Sequence, residues 1–204
     1  MEAVTGYFTA LGLSTAAGLN AYLPVLILGL LSRFTDLIDL PAPWSALEHP
    51  VVLAAVGIVA LLDFVGDKVP VIDHVLHAVG MVIAPVAGGF LALGTANAVD
   101  IDPVSSTLIG TIAALATHMG RTAARPVSTV TTAGAGNPLV SLGEDATSGV
   151  LSFTAVIWPV VAFVIVVVVA LVLFSLWRTW RRVGMGLQGR DPEGRRRSER
   201  AGDG

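Results

Sequence analysis

The chain has 204 residues, of which 54% are hydrophobic and 13% charged, and its mean hydropathy is +0.78. That balance excludes an ordinary soluble domain, in which about a quarter of the residues carry charge. Cysteine is absent, which rules out disulfides, thiolate catalysis and cysteine metal sites.

Met1-Glu2-Ala3-Val4 lacks a basic leader, and the apolar stretch that follows is too long for a signal peptide, so residues 4–31 read as a retained first span. Within it, Gly18-Leu19-Asn20-Ala21-Tyr22-Leu23-Pro24 places a flexible residue, a polar amide and a helix breaker in mid-span. Broken backbone at membrane depth survives only where protein or water satisfies it. Arg33, Asp36, Asp39, Trp44, Glu48 and His49 mark an aqueous or interfacial loop. A second span runs from Pro50 to about Val65 and carries Asp63, one turn before Asp67. After Lys68-Val69-Pro70, a third span from Val71 to about Leu93 carries Asp73, His74 and His77 in its first turns and Pro85 in its middle. A fourth, Val104 to about Ala124, holds His118 and Arg121, with Arg125 just beyond.

Residues 126–149 turn to Ser, Thr, Gly and Ala, too polar for a lipid-facing span yet too apolar for a soluble loop, and read as a re-entrant segment or short half-helix shielded by its neighbours. From Val150 to Trp177 no residue is charged, and as one helix this run would reach roughly 42 Å, more than the hydrocarbon core of about 30 Å. It reads as a membrane span. Residues 1–177, the transmembrane domain, hold four basic and eleven acidic residues; residues 178–204, the tail, hold eight arginines and four acidic residues. Basic flanks resist export, so the C-terminal end should be cytoplasmic. The Arg-rich tail has too few apolar side chains to fold and should be disordered, with contact to anionic lipid headgroups.

These segments predict an all-α, polytopic transmembrane bundle of five or six crossings with broken or re-entrant helices. Six crossings, one irregular, satisfies the basic-residue rule most simply. Val82-Ile83-Ala84-Pro85 echoes Val156-Ile157-Trp158-Pro159, Gly66-Asp67 echoes Gly143-Glu144, and Asn20-Ala21 echoes Asn97-Ala98, which suggests an inverted repeat.

Charges within the membrane should point inward and find partners. Arg121 and Arg125, with Lys68 and Asn20, form one candidate site, for a phosphate or carboxylate, because guanidinium groups bind oxyanions through paired hydrogen bonds. The structural alternative is internal pairing, Arg125 with Glu144 or Asp145 and Lys68 with Asp67. A second candidate is a proton or cation path through Asp63, Asp67, Asp73, His77, His118, Glu144 and Asp145. No compact metal-ligand motif is present, so no metal site is expected. Nor is there a GxSxG elbow, phosphate loop or dinucleotide turn, so neither an enzyme nor a cofactor is expected. The tail has a single aromatic, Trp180, and no folded module, which argues against nucleic-acid binding.

Gly18 to Pro24, Asp67-Lys68-Val69-Pro70 with Asp73, Ala84-Pro85-Val86-Ala87-Gly88, Arg125 and Ser141-Leu142-Gly143-Glu144-Asp145 together resemble a bacterial membrane family, domain of unknown function 4126 (DUF4126). The resemblance spans about residues 5–165 and leaves the tail outside. It implies a polytopic inner-membrane protein without a settled activity, lends no catalytic residues, and singles out Asp67, Lys68, Asp73, Arg125, Glu144 and Asp145. The resulting expectation is a small transporter or translocase for an anionic substrate, such as a phosphate-bearing lipid. The alternatives are an assembly protein packing against a membrane partner or a second copy through small-residue faces, and a proton-coupled or divalent-cation transporter.

Overall fold

The computed structural model of the chain describes residues 2–67, 70–132 and 136–188. Seven α-helices and one 3-10 turn, Trp44–Glu48, carry these residues, with no strand among them. Prolines set most of the helix starts. Helix α3 (Pro50–Gly66), α4 (Pro70–Ala98), α5 (Pro103–Thr132) and α7 (Pro159–Gln188) each begin on one, and α6 (Asn137–Ile157) has Pro138 in its first turn. There the missing N–H costs no hydrogen bond and the fixed φ suits the helix. Before α5, the Asp102 carboxylate accepts from Ser105 N–H at 2.7 Å, capping the helix.

The first apolar segment divides as its sequence predicts: α1 (Glu2–Leu19) stops before Asn20 and α2 (Tyr22–Phe34) begins after it. Two other expectations are corrected. The uncharged run from Val150 to Trp177 is not one helix, because Pro159 excludes α geometry from Trp158, whose φ and ψ are −135° and 73°; α6 ends and α7 turns back. Residues 126–149 are not a half-helix either. Helix α5 continues to Thr132, and α6 is 21 residues long, with Ser141, Asp145, Ser148 and Ser152 buried against its neighbours. The tail's boundary at 178 also falls inside a helix, since α7 reaches Gln188; residues 189–204, and the disorder expected of them, lie outside the described residues.

The positions of the internal echo fall in unlike local structure. Pro85 is inside α4 whereas Pro159 starts α7; Gly66 ends α3 whereas Gly143 is within α6; Asn20 sits at a helix break whereas Asn97, in the last turn of α4, donates to Leu93 O. The resemblance stays at the level of sequence.

Helix α1 packs against α4, α5, α6 and α7. Its contacts fix their directions. Tyr7 meets Ser105 and Gly18 meets Thr117, so α5 runs parallel to α1. Gly6 meets Val99 and Ser14 meets Gly88, so α4 is antiparallel, as is α6, where Gly12 meets Ala155 and Asn20 meets Asp145. Phe163 stacks on Phe8 and Leu173 lies against Gly120, so α7 rises again beside α5. Helix α2 descends from Asn20, and α3 returns to bring Asp63 back to it.

Close approach is what the small residues permit. A Cβ on Gly88 would lie 2.4 Å from Ala114 Cβ and 2.8 Å from Gly110 O, and the Ser14 hydroxyl donates to Gly88 O at 2.8 Å across the same seam. This is the packing expected where helices associate through small residues and shared hydrogen bonds.

Among the described residues two helical stretches are long and apolar enough to cross a membrane: Ala78–Ala98, with mean hydropathy 1.8, and Pro159–Thr179, with 3.2. Only 6% of the second is buried inside the bundle. Helices α2 and α3 are apolar but shorter, and large side chains such as Ile58, Leu62 and Leu171 stay about 60% exposed, as a nonpolar surrounding would allow.

Candidate functional site

The break between α1 and α2 is organised by Asn20, a buried residue whose amide uses both ends. Its Oδ1 accepts from Tyr22 N–H at 3.0 Å and Leu23 N–H at 3.1 Å, satisfying the first donors of α2 as a capping side chain does. Its Nδ2 donates to Asp145 Oδ1 at 2.9 Å and to Asp63 Oδ2 at 3.3 Å. One side chain thus starts α2 and joins it to α3 and α6.

Around this amide lies a polar layer. Asp67, at the end of α3, is buried and accepts from Ser141 Oγ at 2.9 Å. The Ser148 hydroxyl donates to Ala16 O at 3.0 Å, tying α6 to the last turn of α1. On α5, Arg121 Nη1 is 3.7 Å from Glu144 Oε2, with 9% and 12% of the two side chains exposed. The Arg121 Nε is buried without a hydrogen bond among the described residues. His118, one turn earlier, is also buried, and its ring fills the space that a side chain at Gly80 would need.

A cavity of about 30 Å³ opens into the layer, lined by Asn20, Tyr22, Asp63, His118 and Arg121 together with the backbone of the break. That is room for one or two waters. Below it, toward the start of α1, buried hydroxyls continue down the interior: Ser152, Ser14, Ser106, Thr95 and Thr9 are all under 7% exposed, and Tyr7 meets Ser105 at 2.9 Å near the far end. Most of them donate to backbone carbonyls.

Of the residues singled out in the sequence, Asn20, Asp63, Asp67, His118, Arg121, Glu144 and Asp145 gather in this layer. Lys68 lies outside the described residues. Asp73 and His77 on α4 and Arg125 on α5 have described backbone, but their side chains lie outside the description. The pairing of Arg125 with Glu144 or Asp145 expected from the sequence involves a side chain outside the description, and Glu144 lies against Arg121. No three of the described His, Asp or Glu residues are arranged to hold a metal ion. The sequence reading missed Tyr22, Ser141 and Ser148. The signal was present, for Ser141, Asp145, Ser148 and Ser152 recur at helical spacing and form one buried polar stripe on α6.

No curated protein and no solved structure matches the chain. A family model, domain of unknown function DUF4126, matches residues 7–179. The match takes in the broken first segment, the whole polar layer and α7 as far as Thr179, further than the resemblance read from motifs alone, and on that coverage the chain belongs to the DUF4126 family.

Proposed function

We propose that this is a multi-pass membrane protein that moves protons, or a small cation, through the polar layer centred on Asn20. Helices α1, α4, α5, α6 and α7 are the five principal crossings, and α2 and α3 form a shorter pair. Charge placement supports this topology. Of the basic residues whose side chains are described, Arg33 lies at the end where α1 begins, whereas Arg121 and Arg178 lie toward the other. The basic end is then the cytoplasmic one.

The observation that carries the functional reading is the Asn20 amide shared between two carboxylates of different helices, beside a water-sized cavity at a helix break. Interrupted helices supply the coupling sites of many transporters, and ionisable groups inside a membrane mark proton and ion pathways. Buried hydroxyls extend the polar route through the apolar body. An anionic cargo draws less support: both Asn20 N–H groups serve carboxylates, Arg121 faces Glu144, and the cavity is far smaller than a phosphate-bearing lipid. The proposal assigns no catalytic step to the chain.

Proteoliposomes containing the purified full chain and an internal pH-sensitive dye test the reading. Under an imposed potassium diffusion potential, the wild type should acidify or alkalinise the lumen faster than empty vesicles, and Asp63→Asn and Asp145→Asn should each remove most of that flux while still reconstituting. Equal rates for wild type, variants and empty vesicles would sink it. The second reading is structural, favoured by Ser141 on Asp67 and Arg121 on Glu144, which lock α6 to α3 and α5. Aggregation of both Asn variants would favour a structural role for the polar layer as a whole.

A further inference from the structure

Helices α4 and α5 meet along small residues, with Gly88 of α4 against Gly110 and Ala114 of α5. One further turn along α5 brings His118 against Gly80, so the seam continues with an imidazole where another small residue would pack. A Cβ on Gly80 would lie 3.0 Å from His118 Nε2, and glycine is what leaves the ring its place. The residue is 3% exposed and forms part of the wall of the cavity beside Asn20. That wall also holds Asp63 from α3, Tyr22 from α2 and Arg121 from α5. Asp63 and Tyr22 are partly exposed whereas His118 and Arg121 are buried, so the cavity joins an accessible carboxyl to an enclosed imidazole.

Resting on the transport reading above, we propose that the cargo is the proton rather than a metal cation, and that His118 receives it from Asp63 through water in this cavity. In that step the Asp63 carboxylic acid gives its proton to a water, which passes one of its own to the imidazole. A carboxylate and an imidazolium result, and the water is regenerated. Imidazole is the side chain that gains and loses a proton near neutrality, transfer through one water is within reach of a general base, and chains of carboxyl and imidazole groups form proton relays inside membranes.

Size and charge oppose a metal cation. About 30 Å³ admits one or two waters, so a sodium or potassium ion would enter only after shedding its hydration shell. It would then lie in a wall that contains Arg121, while Glu144, the ion-pair partner of Arg121, is not part of that wall. Repulsion between like charges is strong away from bulk water. The buried Arg121 Nε, which has no hydrogen-bond partner among the described residues, calls for an acceptor, and water is one whereas a metal ion is not. The described residues also hold no group of three His, Asp or Glu for a divalent ion.

Electrical recording on a solid-supported membrane, with the purified full chain in proteoliposomes, tests the assignment. A tenfold jump in proton concentration at fixed salt should drive a transient current that empty vesicles lack, and tenfold jumps in sodium, potassium or magnesium chloride at fixed pH should drive none. His118→Gln, which keeps a hydrogen-bonding side chain but binds no proton, should lower the proton-driven current by roughly tenfold or more while eluting as a single peak in detergent. If that variant aggregates, His118→Asn is read in its stead. A current after any metal-ion jump overturns the proton assignment and leaves the transport reading standing. No current after any jump overturns both. A monodisperse histidine variant with the wild-type current overturns the role of His118.

Discussion

Replacing Asn20 with alanine is the most informative single perturbation, because one amide makes four hydrogen bonds. Losing the two accepted from Tyr22 and Leu23 removes the cap of α2, a change that costs about 1 kcal/mol. Losing the donor to Asp145 at 2.9 Å removes a hydrogen bond to a carboxylate, worth about 1.5–3 kcal/mol, while the longer contact to Asp63 at 3.3 Å adds little. The expected loss is therefore about 3 kcal/mol. Asn20→Asp separates the two contributions, since a carboxylate still caps α2 but turns an acceptor toward two other carboxylates; it should be no more stable than the alanine variant. Purified protein in detergent, unfolded by heat and followed by intrinsic fluorescence, gives both values, and a double-mutant cycle with Asp145→Ala isolates the pair. A loss below about 1 kcal/mol for Asn20→Ala, or an Asn20→Asp variant as stable as wild type, would refute the idea that this side chain joins α2 to α3 and α6.

Three further outcomes can be measured in the same way. Gly88→Val should cost about 2 kcal/mol or more, because even its Cβ would lie 2.4 Å from Ala114 Cβ and 2.8 Å from the Gly110 carbonyl; a neutral result would mean the α4–α5 seam is looser than described. Ser148→Ala should cost about 1 kcal/mol through its bond to Ala16 O, and Ser148→Cys, which keeps a weak donor, should recover part of that. The Asp102 carboxyl, in the loop before α5, is held below its ordinary value of 3.8 by the Ser105 backbone N–H and, secondarily, by the Ser105 hydroxyl. A lowered folded-state value means the cap stabilises above the unfolded carboxylate range and is lost as pH falls through the folded one, so wild type and Asp102→Ala should differ in melting temperature at pH 7 and converge at strongly acidic pH.

The break at Asn20 was legible because glycine, amide and proline crowd into seven residues of an otherwise apolar stretch, and the helices beginning at Pro50, Pro70 and Pro103 were legible because proline permits few alternatives. The break at Trp158 was hidden. Charge patterning follows only the solvent, and a turn made inside apolar surroundings changes no charge; the proline after it was the sole local sign. The polar character of residues 126–149 was visible, but its meaning depended on a neighbour: serines that would be unwelcome on a lipid-facing helix instead serve the carbonyls of α1 and the carboxylate of Asp67. Arg121 and Glu144 belong to different helices, so only their packing pairs them.

Whether that pair is a lock or part of a route can be decided by removing both charges at once. A buried ion pair is weak evidence for stability: its desolvation offsets its attraction, so apolar replacements of similar volume are often neutral or stabilising, whereas removal of one partner costs about 3–5 kcal/mol. Arg121 and Glu144 are 3.7 Å apart and each is nearly enclosed, which places them in this regime. Glu144→Leu alone should therefore destabilise markedly, and Arg121→Met with Glu144→Leu should return to within about 1 kcal/mol of wild type. If the pair only fastens α5 to α6, the double variant keeps whatever flux the wild type shows in proteoliposomes. If it holds charge beside the Asn20 cavity for transport, the double variant is as stable as wild type and carries no flux, and no gain in packing compensates for the loss. A double variant that is both stable and active would remove Arg121 and Glu144 from the proposed path.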